Sequence, residues 1–161
     1  MKTIKFLGIL ISSILIYSCA PLKPATIVKN SSAENYKYIY ISPTNSLTSS
    51  SGATYGGQYY SSSKSVNPTD VITGILTKEG FIRLPELKDE LKDETLIVNY
   101  GESGRRKRSL GYTIEVTIQL VSAKSNELIS SCSAEGQGET EADDIRQAIT
   151  RCLSALLSIE N

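Results

Sequence analysis

The feature that most constrains the fold is residues 110–121, where apolar and polar side chains alternate almost without exception. Successive side chains of a β-strand point to opposite faces, so this pattern is typical of a strand with one buried and one hydrated face. It predicts a sheet that is covered on one side only. The apolar side is made of Tyr112, Ile114, Val116, Ile118 and Leu120, and the polar side of Thr113, Glu115, Thr117 and Gln119.

Three further strands are predicted at residues 36–41, 94–100 and 127–134 from β-branched and aromatic runs that end at turn residues. A first helix begins with Asn67 as N-cap and Pro68 at the first helical position, and Gly80 ends it. A second helix begins at Thr140, with Asp143 three residues on, and runs to about residue 158. Both helices carry an apolar stripe that needs a sheet to cover.

The expected architecture is therefore α+β: a two-layer sandwich in the order β-α-β-β-β-α, with a four-stranded mixed sheet and two helices on one face. Residues 36–161 form this single domain.

Residues 44–66 are rich in serine, glycine, threonine and tyrosine, and are predicted to form one long loop. Tyr55, Tyr59 and Tyr60 alternate there with glycines, as in loops that bind protein partners. The alternative is a mobile insertion without a partner, and both interpretations stay open.

The segment 101–109 is predicted to be a turn, and it contains Arg105, Arg106, Lys107 and Arg108. Four cations in a row can contact anionic headgroups, lipopolysaccharide phosphates or an acidic partner. The alternative is a hydrated hairpin tip that keeps two strands soluble.

The N-terminus has the pattern of an export signal. Lys2 and Lys5 precede an apolar run at residues 6–17, which is shorter than the ~20 residues that a membrane-spanning helix needs. Ser18 and Cys19 follow. We interpret them as a cleavage and lipid-attachment site. The alternatives to this interpretation are an ordinary signal peptide with a chance cysteine, or a short uncleaved anchor.

The segment ending at Cys19 resembles the lipobox of bacterial lipoproteins, although Ile16 and Tyr17 depart from the usual form. The resemblance implies a signal peptide at residues 1–18, then a Cys19 that carries diacylglycerol and an N-acyl chain such as palmitate. Two or more chains hold a protein stably on a membrane. Residues 19–35, with Pro21 and Pro24, are then a flexible tether. Ala20 favours sorting to the outer membrane, facing the periplasm.

If Cys19 is lipidated, Cys132 and Cys152 remain in a compartment that permits disulfides. Cys132 lies on a predicted strand and Cys152 on the apolar face of the last helix, so a disulfide between them is a candidate. The alternative is a pair of small buried apolar residues.

Composition excludes several functions. Signal cleavage removes two of the 17 basic residues and none of the 17 acidic ones, so the chain lacks the basic excess of a nucleic-acid-binding protein. Histidine is absent, which removes the commonest general base and metal ligand. No catalytic residue, metal or cofactor is predicted. The carboxylates of Glu135, Glu139, Glu141, Asp143 and Asp144 cluster, but their spacing matches no calcium loop.

Taken over residues 15–158, the chain resembles small Gram-negative lipoproteins that carry a domain of unknown function. The resemblance rests on the lipobox, YKYIYI, NPTDVITGILTKEGF, LIVNYGESG, LGYTIEVTIQLVSAKSNELI and AEGQGETEADDIRQAITRCLSAL. It implies no catalytic activity. The expected function is a membrane-anchored binding or assembly-support module of the cell envelope; the sequence does not identify its partner, and another envelope protein and an anionic glycolipid are both candidates. Binding of glycan or lipopolysaccharide through the basic segment and the tyrosines is the alternative, and an unrecognised enzyme is the third.

We predict that Cys19→Ser releases the protein from membranes and abolishes acyl labelling, because it removes the thiol that carries the lipid. Membrane fractionation and metabolic labelling with an acyl-chain probe measure both effects. Cys132→Ser, which leaves Cys19 in place, should stay membrane-bound. Unchanged labelling and retention of Cys19→Ser would refute the lipid anchor.

Overall fold

The computed structural model describes residues 21–108 and 111–158. The predicted signal peptide and Cys19 lie outside the described residues. No helix in the described part of the chain is long and apolar enough to cross a membrane.

The domain is built on a six-stranded mixed sheet. Its strands are β1 (Thr26–Lys29), β2 (Tyr38–Ile41), β5 (Ile82–Arg83), β6 (Thr95–Arg108), β7 (Gly111–Ser122) and β8 (Leu128–Gly136). Their spatial order is β1-β8-β7-β6-β2-β5. Strands β6, β7, β8 and β1 are antiparallel neighbours, whereas β2 runs parallel to both β6 and β5. Two more strands, β3 (Leu47–Tyr55) and β4 (Gln58–Val66), form a separate two-stranded ribbon.

Two α-helices and one short 3-10 helix complete the fold: α1 (Pro68–Lys78), the 3-10 helix (Asp89–Glu94) and α2 (Glu141–Leu157). The side chain of Asn67 accepts the backbone N–H of Thr69 at 3.0 Å and caps α1. Thr140 caps α2 by accepting the N–H of Asp143. Both predicted N-caps are therefore confirmed.

The core lies between the two helices and one face of the sheet, here called the helix face. The alternation in β7 holds from Ile114 to Leu120, whose apolar positions are almost completely buried. It fails at the start of the strand, where Tyr112 is 38% exposed and Thr113, on the predicted hydrated side, is buried. Ile72 and Leu76 of α1 and Ile145, Ile149 and Leu153 of α2 meet the buried apolar residues of β7 in one apolar cluster. The other side of the sheet, the open face, carries polar residues such as Gln119.

Helix α2 packs unusually close to β8. A Cβ at Gly136 would collide with the backbone oxygen of Asp144 in the first turns of the helix. The neighbouring residues on the same face of β8 are Ala134 and Cys132, both small and buried. Position 136 therefore requires glycine, because the backbone of α2 approaches the backbone of β8 too closely there to leave room for a side chain.

The α+β class, the mixed sheet and the two helices agree with the prediction, but four strands is too few. Within the six-stranded sheet, the strands that were missed are β1 and β5, which have four and two residues and lie at its two edges. Segments this short carry too few alternating positions to be recognised as strands.

Three segment predictions are wrong. Residues 19–35 are not a tether throughout, because Thr26–Lys29 pairs with β8. Residues 44–66 are a paired ribbon rather than a loop, because serine, threonine and tyrosine tolerate the extended backbone. The turn predicted at 101–109 is wrong for residues 101–108, because β6 continues through a bulge between Glu102 and Gly104 as far as Arg108.

Cys132 and Cys152 face each other across the interface between β8 and α2, and the structure joins them in a disulfide. Their Cα atoms are 5.6 Å apart, and both residues are buried. The bond closes a loop with a sequence separation of 20 residues, which includes the connection from the sheet to α2.

We predict that reduction of this disulfide lowers the free energy of unfolding by about 3 kcal/mol, because the crosslink restricts the unfolded chain. Urea unfolding with and without reductant measures the difference. The double variant Cys132→Ala, Cys152→Ala is the control and should not respond to reductant. Equal stability of the wild type under both conditions would contradict a disulfide.

Candidate functional site

The ribbon formed by β3 and β4 protrudes from the body of the domain. Its two nine-residue strands pair from Leu47 with Val66 to Tyr55 with Gln58, and Gly56 and Gly57 make the turn. Both glycines have positive φ, 59° and 78°, as the two-residue hairpin turn of type I′ requires. Within the described residues, neither strand pairs with a further strand, so no other strand covers either outer edge of the ribbon.

The base of the ribbon is fixed to α2. Val66 is buried in the core, and Leu47 packs against it. The hydroxyl of Ser49 accepts the backbone N–H of Ala142 at 2.9 Å. This hydrogen bond satisfies one of the backbone N–H donors that the first turn of a helix leaves without a partner.

Ion pairs strengthen the same attachment. The ammonium of Lys64 contacts Asp143 at 2.9 Å and Glu139 at 3.3 Å. These hydrogen bonds raise the pKa of Lys64, and the bond from Lys64 lowers the pKa of Asp143. Arg146 also donates to the backbone oxygen of Ser65 at 3.3 Å. The ribbon therefore leaves the body beside the N-terminus of α2.

The far end of the ribbon is exposed and aromatic. Tyr55, Tyr59 and Tyr60 are 82%, 71% and 59% exposed. Register places Tyr55 and Tyr60 on one face and Tyr59 on the other, where its ring lies over Gly52. We call these three residues the tyrosine tip. The tip presents apolar surface with a hydroxyl on both sides of a narrow ribbon.

The four predicted cations do not form one patch. They lie at the end of β6, where alternation and the bulge place Arg105 opposite Ile114, on the helix face, and Arg106 opposite Thr113, on the open face. We call this part of the sheet, where β6 ends and β7 begins, the hairpin end.

Three of the four cations are held by other side chains. Arg106 binds Glu135 through two hydrogen bonds, of 2.7 Å and 2.5 Å. Arg105 pairs with Glu141 and lies over the ring of Tyr112. Arg108 donates to Gln137. Lys107 is exposed and has no ion-pair partner in the described part of the chain.

Glu135 is the centre of the most connected polar cluster, and sequence reasoning missed its role. Its side chain is 3% exposed and binds Arg106, the backbone N–H of Lys23 at 3.2 Å and the ammonium of Lys23 at 3.8 Å. Arg151 of α2 donates to the backbone oxygens of Glu135 and Lys23. The cluster thus joins β6, β8, α2 and the N-terminal segment. The one feature of the sequence that pointed to this role was an acidic residue at the end of a predicted strand, in a chain that also contains the basic residues 105–108.

The hydrogen bonds from Arg106, with a further one from the backbone of Lys23, lower the pKa of Glu135 to about 2, although burial opposes the shift. The carboxylate is therefore ionised over the whole physiological range, and it holds its partners as a fixed charge rather than as a switch.

A polar pocket of about 300 Å³ lies between the base of the ribbon, the hairpin end and the start of α2. Glu139, Glu141 and Asp144 line it, but Lys64, Arg105 and the backbone N–H of Gly138 already bind these carboxylates. Burial raises the pKa of Asp144. The described residues contain no group of three side chains suited to a metal ion.

The predicted site residues thus fall into three places. The tyrosine tip is at the end of the ribbon, the basic residues are split between the two faces of the hairpin end, and the cysteine pair is in the core. The base of the ribbon and the hairpin end meet at the N-terminus of α2.

No protein-family model matches the chain, and no curated protein matches it. Among solved structures, the chain is similar to the PelC dodecamer from Paraburkholderia phytofirmans. The TM-score is 0.47 at 11% identity, over 84% of this chain and 97% of that one. A variant of the same dodecamer gives 0.45 at 13% identity, over 86% and 96%. At these values the likeness carries no information on function.

We predict that Glu135→Gln lowers the free energy of unfolding at neutral pH by about 2 kcal/mol, because Arg106 loses its charged partner while staying partly hydrated. The pKa of Glu135 is lowered by folding, so this stabilisation is complete above its unfolded value near 4.5 and is lost as pH falls towards about 2.

Urea unfolding from neutral pH down to pH about 2 measures the effect, and the wild type and the variant should converge in acid. The exposed Glu86→Gln is the matched control and should change stability by less than about 0.5 kcal/mol. A pH-independent gap between wild type and Glu135→Gln would contradict the assignment.

Proposed function

We propose that this protein is a non-enzymatic, lipid-anchored binding module of the bacterial cell envelope, and that the tyrosine tip contacts another envelope protein. The anchor is the lipid predicted on Cys19. The observation that carries the proposal is the ribbon itself, with a base fixed to the core and to α2 and a tip that touches nothing else in the described structure.

The attachment of the ribbon supports a binding role because it removes much of the cost of ordering. The core contact at Val66, the hydrogen bond from Ala142 to Ser49 and the ion pairs of Lys64 all lie at the base. A contact surface that is held in place before binding loses less conformational entropy when the partner arrives.

The chemistry of the tip supports a protein as the partner. Tyrosine gives a large, rigid contact area together with a hydroxyl, and it is enriched among the residues that dominate binding energy. The outer edges of β3 and β4 can also accept a strand from a partner through main-chain hydrogen bonds. Nothing charged opposes this along β3, which consists of LTSSSGATY.

Two observations support binding rather than catalysis. The carboxylates of the polar pocket are bound to Lys64, Arg105 and the backbone of Gly138, so none is held ready for proton transfer. A cavity of about 400 Å³ near Phe81 and Leu157 is lined by Tyr36, Lys37 and two glutamates, and no hydrogen bond among the described residues joins two of these side chains as nucleophile and base.

The basic segment supports a protein partner over an anionic glycolipid. Specific recognition of one glycolipid needs several unpaired cations that converge on its phosphates, unlike the weak attraction of a single cation to a charged membrane surface. Here Arg105 and Arg106 are paired with Glu141 and Glu135, and they lie on opposite faces of the sheet.

We expect a photo-crosslinking amino acid at Tyr55, in the full-length protein in living cells, to give one discrete adduct with an envelope protein that mass spectrometry identifies. The same residue at Lys88, an exposed position before the 3-10 helix, is the control and should not give it. Tyr59→Ser with Tyr60→Ser should weaken the adduct at least tenfold, because aromatic anchors contribute about 2 kcal/mol or more.

The absence of a reproducible adduct at Tyr55, or the same adduct at Lys88, would refute the tip as the contact site. Circular dichroism should show that the tyrosine variants stay folded, since their side chains make no contact with the core.

A further inference from the structure

We propose that the hairpin end of the domain lies against the membrane, with the ammonium of Lys107 among the phosphates of anionic lipids. This rests on the lipid anchor at Cys19, which is part of the proposed function. It adds an orientation and a second contact surface to that function. The carrying observation is that the structure holds the N-terminal segment to the domain very close to the anchor.

Among the described residues, the first hydrogen bonds of the N-terminal segment are those of Lys23. Its backbone N–H and ammonium bind the carboxylate of Glu135, and its backbone oxygen accepts from Arg151 at 2.7 Å. β1 continues this attachment by pairing with β8. Only residues 20–22 separate Lys23 from Cys19, so the connection spans at most about 14 Å.

The direction of this segment follows from the register. Thr26 pairs with Ser133 and Lys29 with Ser130, so the chain, followed backwards from Lys29, runs along β8 towards Gly136. Gly136 in turn lies opposite Ile114, three residues from the start of β7. The segment that leads to Cys19 therefore leaves the sheet at the hairpin end.

The reach of the connection from Lys23 to Cys19 is about equal to the length by which the hairpin end projects beyond Glu135. Lys23 contacts Glu135, which lies opposite Glu115 in β7. From Glu115 to Gly111 the strand projects four residues further, or about 13 Å. This projection is close to the reach of about 14 Å between Lys23 and the lipidated residue, so the hairpin end meets the headgroup region when the lipid is inserted.

Charge favours the same orientation. Lys107 lies opposite Tyr112 near the end of β6, is exposed and has no ion-pair partner among the described residues. Most nearby acids are already paired with cations: Glu141 and Glu102 with Arg105, Glu135 with Arg106, and Glu139 with Lys64. They therefore repel lipid phosphates less than unpaired carboxylates would. A basic residue near an anionic surface contributes about 1 kcal/mol.

Tryptophan fluorescence tests the orientation, because the chain contains no tryptophan of its own. Tyr112→Trp places a probe at the hairpin end. Lys124→Trp places the control probe in the turn between β7 and β8, at the opposite end of the sheet. The acylated full-length proteins are reconstituted in vesicles of phosphatidylethanolamine and phosphatidylglycerol that contain lipids with a nitroxide on the headgroup.

We expect the nitroxide lipids to quench Tyr112→Trp and to leave Lys124→Trp nearly unchanged. Lys107→Gln in the Tyr112→Trp background should lower the docking equilibrium constant about fivefold, which corresponds to the loss of about 1 kcal/mol. A flexible insertion of about twelve Gly and Ser residues after Ala20 should reduce the quenching, because it frees the domain from the short connection.

Equal quenching of the two probes would overturn the inference. So would quenching of Tyr112→Trp that neither the insertion nor Lys107→Gln reduces, since the contact would then depend on neither the short connection nor the charge. Mass spectrometry of the N-terminal peptide separates this inference from the proposed function. A protein without acyl chains refutes the anchor, whereas an acylated protein with equally quenched probes refutes only the orientation.

Discussion

The close packing of α2 on β8 is the contact on which the other parts of the structure depend. It is possible because β8 presents Cys132, Ala134 and Gly136 to the helix, and a larger side chain at Gly136 would strike the helix backbone. The disulfide to Cys152 fixes the same interface. Since α2 begins beside the hairpin end, this packing also sets where its first turn can hold the ribbon, through Ala142 and Asp143.

Electrostatic pairing gives a second layer of order on the open side of the sheet. Arg106 lies on β6 and Glu135 on β8, with β7 between them. The nearly complete burial of Glu135 makes the hydrogen bonds between the two side chains stronger than those of a surface ion pair. The same carboxylate binds Lys23, so one charge holds both the hairpin end and the N-terminal segment. The basic segment looks like a binding patch in the sequence, but three of its four cations bind side chains of the same domain.

Where local pattern and tertiary environment agree, the sequence predicts this fold well. The alternation in β7 and the caps at Asn67 and Thr140 are visible without any contact information, because each depends on neighbours within a few residues. The cysteine pair could be named only as a candidate, because helix-over-strand packing decides whether the two side chains meet. The strands β1 and β5 were invisible, since two to four residues at an edge are ordered by their partners rather than by their own pattern.

The candidate site shows the same division. Tyr55, Tyr59 and Tyr60 could be picked out from composition, but composition alone suggested a loop, whereas pairing in register makes a ribbon with two faces. The role of Glu135 could not be predicted, because its partners Arg106, Lys23 and Arg151 are far from it along the chain and meet it only across three different elements.

The place where the ribbon leaves the body has a consequence for the search for a partner. Its base borders the same pocket as Gly111 and Tyr112, so it emerges at the end of the domain to which the lipid would be attached. A protein held there diffuses in two dimensions, and its tip samples a thin layer beside the membrane at high local concentration. Even a weak complex can form under these conditions with proteins that share the membrane, while freely diffusing proteins of equal affinity remain largely unbound.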